Sequence, residues 1–288
     1  MVQWLPRRDM LRRWLRFCFF RPVKVAPLYY YCPEHHEAFK IPPADTIIWR
    51  YQTLPKLISL LDTRQLFFCR ARNFRDRFEG SVPKRMDDHM REWAAQHMSP
   101  ESYENYRKER ARFRNNIAIS CWHRSIHESE AMWSLYGLTG EGVAVKTTVG
   151  RLAAALPAKT LPRGSTDNWG INIGHVEYID YKTATLPPYN IYFPYLHKRH
   201  AFQHEREVRA VAMITDGAQG AFDAGTADFE ISDGGLAIPV DVEKLIEAVC
   251  ISPLGSASFQ RTVRATLDRF GYKSIPDIKS DLADDPIY

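Results

Sequence analysis

Short strand-like runs alternate with helical patterns along this chain, without the regular strand–helix–strand rhythm of a parallel α/β fold. Residues 46–51, 66–69 and 116–122 are rich in β-branched and aromatic residues, which is typical of strands. A helix is predicted to follow Thr53. Further strands are predicted over residues 142–147, 176–179, 207–214, 236–240 and 248–252, and further helices over 84–115 with a break at Ser99 and Pro100, over 128–136, around Leu152 and Leu156, over 195–203, from Asp241, and over 257–270. This irregular alternation predicts an α+β fold with a mixed sheet and peripheral helices.

Prolines are frequent between residues 22 and 45, which favours an irregular connector there. We therefore divide the chain into an N-terminal extension with its connector, residues 1–40, and a single α+β domain, residues 41–288. Aromatic and apolar residues stand among arginines in residues 1–21, which suits docking to a partner or to a membrane surface. A helix packed on the domain and an over-long start of the chain are the alternatives.

The formal charge of +5 is confined to the beginning of the chain. Residues 1–40 hold eight Lys/Arg against three Asp/Glu, which accounts for the whole excess, so the predicted domain is formally neutral. A globally basic nucleic-acid-binding domain loses its main support, although local basic patches are compatible with this distribution.

Five scattered cysteines include no CxxC pair, which argues against a disulfide framework and predicts a cytoplasmic protein. No run approaches the about 18 apolar residues of a membrane span. Two groups of potential zinc ligands lack a standard spacing, namely Cys32, His35 and His36, and Cys121, His123 and His127. We therefore predict no metal site. Glycine-rich phosphate-binding motifs are also absent from the sequence.

Six short motifs occur in a recognisable order: WRY at 49–51, NFRDRFEG at 73–80, ISCW at 119–122, MWSLYG at 132–137, GVAV at 142–145 and KRxxFxxEREVR at 198–209. Taken together, they resemble the bacterial domain-of-unknown-function family 2971 over roughly residues 46–255. That family implies no established activity.

A more distant resemblance is to the ADP-ribosyltransferase fold, with its split sheet. Its members carry a basic residue on the first strand, a Ser or Tyr on a middle strand and a late Glu, which here match Arg50, Ser120 and Glu205 or Glu207. The resemblance implies NAD as a substrate, with Glu207 as the catalytic carboxylate and Glu205 assisting it or activating the acceptor. The chemistry agrees, since Arg can clamp a pyrophosphate and a carboxylate can stabilise an oxocarbenium-like transition state.

Aromatic residues near these positions are candidate NAD contacts. Trp133 and Tyr136 lie three apart on a predicted helix and can wall a pocket for a flat ring, and Tyr51 adjoins Arg50. The structural alternatives are that the aromatic pair belongs to the core and that EREVR forms alternating surface charges.

The sequence therefore predicts an NAD-consuming enzyme, by ADP-ribosyl transfer or NAD hydrolysis, in the manner of a toxin-like or phage-defence effector. A protein or a nucleic acid would be the acceptor. The first alternative is a non-catalytic module that binds a nucleotide or a peptide. The second is a nuclease that uses Asp76, Glu79 and the Glu pair, against which the neutral domain charge argues.

Overall fold

The computed structural model of the protein describes residues 38–136, 140–157, 170–186, 191–216 and 228–287, together with residues 219, 223 and 225. The extension predicted over residues 1–40 lies almost entirely outside the described residues. Within its last three residues, Ala38 and Phe39 are already buried, and the Phe39 ring meets Tyr192 edge to face.

The helices of the described chain are α1 (Leu54–Thr63), α2 (Lys84–His97), α3 (Pro100–Asn116), α4 (Glu130–Tyr136), α5 (Val149–Ala155), α6 (Val242–Leu245) and α7 (Ala257–Arg269). The strands are β1 (Ile47–Thr53), β2 (Gln65–Arg70), β3 (Ile117–Arg124), β4 (Gly142–Thr148), β5 (Asn172–His175), β6 (Glu177–Ile179), β7 (His197–Arg199), β8 (Glu207–Met213), β9 (Glu230–Ile231), β10 (Gly235–Pro239), β11 (Ala248–Ile251) and β12 (Asp277–Lys279). Short 3-10 turns cover Ala71–Asn73, Phe193–Tyr195, His200–Glu205 and Asp281–Ala283.

Several helices begin where the local sequence supplies a cap. The hydroxyls of Ser99, Thr148 and Ser256 accept hydrogen bonds from backbone N–H groups in the first turns of α3, α5 and α7, and Asp241 does the same for α6. These caps satisfy donors that a helix leaves unpaired at its start, so the sequence fixes these boundaries locally.

Ten strands form one sheet in the order β12-β11-β4-β1-β3-β2-β10-β9, with β8 paired to β3 and β5 paired to β8. Its pairs are antiparallel except β11 with β12, while β6 and β7 form a separate parallel pair. The α+β class predicted from the sequence is therefore confirmed, with a mostly antiparallel sheet.

Two strands, β1 and β2, pair with the same edge of β3. It pairs with β8 continuously from Ile117 to His123, so β1 and β2 must both meet its other edge. β1 pairs near the end of β3, at His123 and Arg124, whereas β2 pairs near its start, at Ala118 and Ile119. A gap therefore opens between β1 and β2 beside the middle of β3.

The two faces of the sheet carry different layers. On one face, residues of β3 and β8 such as Trp122 and Ala210 join the main apolar core beneath α1, α5, α6 and α7. On the other face, Ile119 and Val211 pack beneath the segment around Tyr195. Side chains alternate along a strand, so every residue of β3 and β8 is assigned to one face or the other.

The helix predicted over residues 195–203 is wrong. That segment forms the end of one 3-10 turn, the strand β7 and most of a second 3-10 turn. The physical reason is tertiary, because the backbone of His197–Arg199 pairs with Glu177–Ile179 instead of closing helical hydrogen bonds. Short strands β5, β7, β9 and β12 were not predicted, since two to four residues give too little periodicity.

Among the described residues, no helix is both long enough and apolar enough to cross a membrane.

Neighbouring phenylalanines on β2 test the assignment of faces. Phe68 is 0% exposed in the main core, whereas Phe67 is 42% exposed. Phe68→Ala should lower the free energy of unfolding by about 3–5 kcal/mol because it opens a cavity. Phe67→Ala is the matched control and should cost about 1 kcal/mol or less. Urea unfolding measures both, and equal losses would contradict the orientation of β2.

Candidate functional site

Arg50 lies in the gap between β1 and β2. Its guanidinium donates to the Ser120 hydroxyl on β3 at 2.9 Å and to the carbonyl oxygen of Phe67 on β2 at 3.0 Å. The same group lies 5.6 Å from the ring centre of Trp122. Burial lowers the pKa of Arg50 to about 10, so it remains a cation at neutral pH. This side chain bridges β2 and β3 where backbone pairing is missing.

Ser120 is buried and points into the main core. Its hydroxyl accepts from Arg50 and also from the indole N–H of Trp122 at 3.1 Å. The structure therefore brings two of the predicted site residues, Arg50 and Ser120, into direct contact. Their contact links the strands around the gap.

Glu207 projects from the opposite face of the sheet to Ser120. Ser120 pairs across the strands with Ala210 of the main core, while Glu207 and Arg209 alternate with the residues that fill that core. The predicted arrangement of Arg50, Ser120 and the Glu pair around one cleft is thus divided, with Ser120 and Glu207 on different faces.

Glu205 lies beside Glu207 because of a turn before β8, since the strand begins only at Glu207. Glu205 ends the 3-10 turn His200–Glu205, and Arg206 follows in the left-handed region at φ 41°. This reversal returns the Glu205 side chain towards Glu207, and their carboxyl groups share a hydrogen bond.

Five buried ionisable side chains form what we name the β8 charge cluster: Glu79, Lys198, Glu205, Glu207 and Arg209. Arg209 is 0% exposed and has the largest side chain of the five. Burying such groups is costly unless each is paired and hydrogen-bonded, and all five are.

Arg209 holds the cluster together from β8. Its guanidinium binds both carboxylate oxygens of Glu79, at 2.7 and 3.0 Å, and its Nε donates to Glu207 at 2.6 Å. It also donates to the carbonyl oxygen of Tyr195 at 2.5 Å. The forked geometry of arginine suits this set of acceptors, which a lysine could not match.

Glu79 lies next to Gly80, which permits a close approach to Tyr195. Gly80 has φ +72°, and a Cβ at this position would overlap the Tyr195 ring. Glycine therefore allows the loop after β2 to turn and to pass close to that ring, which places Glu79 against Arg209.

Lys198 joins the two late carboxylates. Its Nζ donates to Glu205 and, at 2.6 Å, to Glu207. Burial disfavours the charged amine, but Glu207 and Glu205 outweigh it and raise the pKa of Lys198, so the amine stays protonated. Glu207 thus contacts two cations, whereas Glu205 contacts one.

The cluster holds three carboxyl groups against two cations, so one shared proton balances its charge. Burial raises the pKa of Glu205 to about 7, and its hydrogen bond with Glu207 adds to this effect. Burial would also raise the pKa of Glu207, but the charges of Arg209 and Lys198 hold it well below its usual range. Below about pH 7 the proton therefore resides on Glu205.

Tyr136 lies at the outer side of this pair. It is 45% exposed, and its hydroxyl donates to Glu205 Oε1 at 3.4 Å. On the inner side, the backbone N–H of Glu207 donates to the hydroxyl of Tyr178 at 2.9 Å. The Cys121 thiol also contacts the Glu207 carboxylate, and burial raises the pKa of this thiol well above its usual value.

Tyr51 and Trp133, predicted as NAD contacts, lie in a small apolar cluster. Their ring centres are 4.9 Å apart in an edge-to-face arrangement. The indole N–H of Trp133 donates to Glu128 at 2.8 Å, and the Tyr51 hydroxyl accepts from the Ser129 N–H at 2.9 Å. Both side chains are buried with their polar atoms bonded. Of the pair Trp133 and Tyr136, for which a place in the core was the alternative, only Trp133 is buried, whereas Tyr136 is 45% exposed.

Asp76 and Glu79, which were considered for a nuclease together with the glutamate pair, are both paired with arginines. Asp76 accepts from Arg199 at 2.8 Å, and Glu79 binds Arg209. Among the described residues, no group of three or more His, Cys, Asp and Glu side chains is arranged to hold a metal ion. The Cys32, His35 and His36 group lies outside the described residues.

Sequence reasoning singled out Glu205 and Glu207 but gave no role to Lys198 and Arg209. The signal was present, because both basic residues lie in the KRxxFxxEREVR motif and strand alternation puts Arg209 beside Glu207. Glu79 carried no such signal, since its distance of 130 residues from Arg209 is closed only by the fold.

Replacing Arg209 tests the cluster as a structural unit. Arg209→Met removes the partner of Glu79 and one partner of Glu207, and should lower the free energy of unfolding by about 3–5 kcal/mol. Arg91→Met is the control, because Arg91 pairs with Asp87 at an exposed site, and should change it by about 0.5 kcal/mol or less. Urea unfolding measures both. A loss below about 1 kcal/mol for Arg209→Met would contradict the cluster.

The protonation of Glu205 predicts a pH dependence of stability. Since the folded-state pKa is raised, the contribution of Glu205 is fully present below its ordinary pKa of 4.5 and is lost as the pH rises through about 7. Glu205→Gln removes this titration. The difference in unfolding free energy between wild type and variant should therefore fall by about 2–3 kcal/mol at most across that interval.

Urea unfolding at several pH values measures this difference. The histidines with lowered pKa, His123, His175 and His197, titrate in the same range, but they are common to both proteins and cancel. A difference that stays constant between pH 4.5 and 8 would refute the assignment of the proton to Glu205.

No protein-family model matches the chain, and no curated protein matches it significantly. The resemblances to family 2971 and to the ADP-ribosyltransferase fold accordingly rest on the motifs alone.

Proposed function

We propose that the Glu205–Glu207 pair of the β8 charge cluster breaks the bond between ribose and nicotinamide in NAD, and passes ADP-ribose to water or to a macromolecular acceptor. The observation that carries this proposal is the unequal pairing of two adjoining buried carboxyl groups: Glu207 contacts both Lys198 and Arg209, whereas Glu205 contacts Lys198 alone. This difference separates their pKa values, with that of Glu205 raised and that of Glu207 lowered. When their surroundings give two neighbouring carboxyl groups different pKa values, one can act as an anion while the other takes up or releases a proton.

Glu207 would act as the ionised partner. As the C1′–N bond breaks, its electron pair leaves with nicotinamide and the ribose acquires oxocarbenium character. An anionic carboxylate held in place by Arg209 and Lys198 stabilises that positive charge without reorganising. The carboxylate is fixed before the substrate arrives.

Glu205 would act as the general base. When water is the acceptor, its oxygen bonds to C1′ and its proton passes to ionised Glu205, which yields ADP-ribose and nicotinamide. A base is most effective when its pKa lies near the working pH, and burial places Glu205 at about 7. Loss of its own proton also makes the cluster more negative, which favours the cationic transition state.

An ADP-ribosyltransferase-like fold is part of this proposal. It is supported by the gap between β1 and β2 and by two glutamates, separated by one residue, at the start of a late strand. The position of Arg50 and Ser120 departs from it, since these side chains are bonded to each other at the gap. The proposed chemistry therefore uses the glutamate pair and assigns no step to Arg50 or Ser120.

Binding of a nucleotide or peptide without chemistry is the second candidate. It is favoured by the low exposure of Glu205 and Glu207, both of which are buried. In the catalytic proposal, the half-exposed Tyr136 marks the side from which substrate approaches. Turnover of NAD distinguishes the two candidates.

Incubation of the full chain with NAD should release nicotinamide. Chromatography of the reaction mixture measures the rate of release. Glu205→Gln should lower the rate by about 100- to 10,000-fold, because Gln cannot accept a proton. The wild-type rate should rise as the pH increases through about 7, because the base must be ionised. Any residual rate of the variant should lose that dependence.

Glu109→Gln is the matched control, because Glu109 is a surface carboxylate paired with Arg112 at 2.8 Å, and it should keep the wild-type rate. Gln at position 205 resembles the protonated form already present, so the variant should remain folded by circular dichroism. Absence of nicotinamide release from wild type, or full activity of Glu205→Gln, would refute the proposal.

A further inference from the structure

A cavity of about 730 Å³ lies between α3, the loop after β2 and the turn that follows β6, and we name it the α3 cavity. A volume of this size suits a small-molecule ligand. Its basic lining residues are Lys84, Arg107, Arg110, Arg114, Lys182 and Arg199. None of Lys198, Glu205 and Glu207 lines it.

The lining carries an excess of positive charge. Among the described residues, Asp87 and Asp180 are its acidic members, against six Lys/Arg. Three of these six also pair with carboxylates outside the lining: Lys84 with Asp88, Arg107 with Glu104 and Arg199 with Asp76. Asp87 is paired with Arg91 at 2.9 Å, and Asp180 accepts from the backbone N–H of Lys182 and from the Thr183 hydroxyl. Because residues 41–288 are formally neutral, this excess is a local feature that the overall charge conceals.

Three of the arginines share one face of α3. Arg107, Arg110 and Arg114 are spaced by three and four residues, so their side chains adjoin on the helix and repel one another. Within the described residues, the Nε groups of Arg114 and Arg199 are buried without a hydrogen-bond partner. An anion in the cavity would relieve the repulsion and supply acceptors.

The cavity also has an aromatic wall. Phe78 is 43% exposed and meets the buried ring of Tyr181 edge to face, with ring centres 5.8 Å apart. Phe78 also contacts Arg199, whose guanidinium lies 4.2 Å from the centre of the Phe78 ring. A large exposed aromatic beside a guanidinium offers a surface on which a flat ring can stack.

We infer that the α3 cavity binds a phosphorylated ligand with a flat ring, which is the chemistry of a free nucleotide. Its phosphates meet Arg107, Arg110 and Arg114, and its base lies against Phe78. This inference does not depend on the proposed function, because it concerns a different set of side chains.

A free nucleotide fits these observations better than a nucleic acid. Polyanion binding draws on basic residues spread over a long surface, and residues 41–288 carry no net positive charge that would favour it. The excess is concentrated in one concave site of small-molecule size.

Isothermal titration of the full chain with ADP, pyrophosphate and a single-stranded oligonucleotide tests the inference. ADP should bind, and more tightly than pyrophosphate, because only ADP has a ring. Arg110→Ala should weaken ADP by roughly tenfold, the usual effect of losing one charge-assisted hydrogen bond. Phe78→Ala should weaken ADP and leave pyrophosphate unchanged.

Arg112→Ala is the matched control, because Arg112 lies on α3 and pairs with Glu109 outside the cavity lining, and it should bind ADP as wild type does. Glu205→Gln should also bind ADP as wild type does. This result is expected whether or not the protein turns over NAD, so the failure of the proposed function and the failure of this inference can be told apart. Absence of ADP binding, equal losses for Arg110→Ala and Arg112→Ala, or tighter binding of the oligonucleotide than of ADP would overturn the inference.

Discussion

The buried contact between Arg209 and Glu79 is the interaction on which the β8 charge cluster and the segments around it depend. It fixes the loop after β2 to strand β8 through two parallel hydrogen bonds, and the same guanidinium holds Glu207 and the backbone of Tyr195. An arginine with no exposure to water needs such acceptors, since an unpaired buried charge would be strongly destabilising. The loop, the strand and the segment around Tyr195 are therefore held in one arrangement.

A consequence of that arrangement is the proton on Glu205. Arg209 and Lys198 both neutralise Glu207, which leaves Glu205 with a single cation and a buried position. Its carboxyl group consequently titrates near neutrality, where a small change in surroundings shifts its charge. The same contacts that stabilise the fold thus create the chemical asymmetry on which the proposed catalysis rests.

Two adjacent residues of β7 connect the β8 charge cluster to the α3 cavity. Lys198 binds the glutamate pair, while Arg199 contacts Asp76 and lines the cavity. Successive side chains of a strand point to opposite faces, so a strand of three residues serves two different environments. The sequence motif KR at 198–199 therefore encodes two separate roles.

The sequence by itself determined most strands, the capped helices, the α+β class and the proximity of Glu205 to Glu207, because periodicity, caps and turns act over a few residues. The resemblance to ADP-ribosyltransferases also placed Arg50 and Ser120 in one site, and the structure shows their side chains hydrogen-bonded to each other at the gap between β1 and β2. Only the tertiary structure decided that Ser120 and Glu207 occupy opposite faces, since that depends on strand register. It likewise decided the strand at β7 and the partner of Arg209, because backbone pairing and buried charge involve segments far apart in the chain.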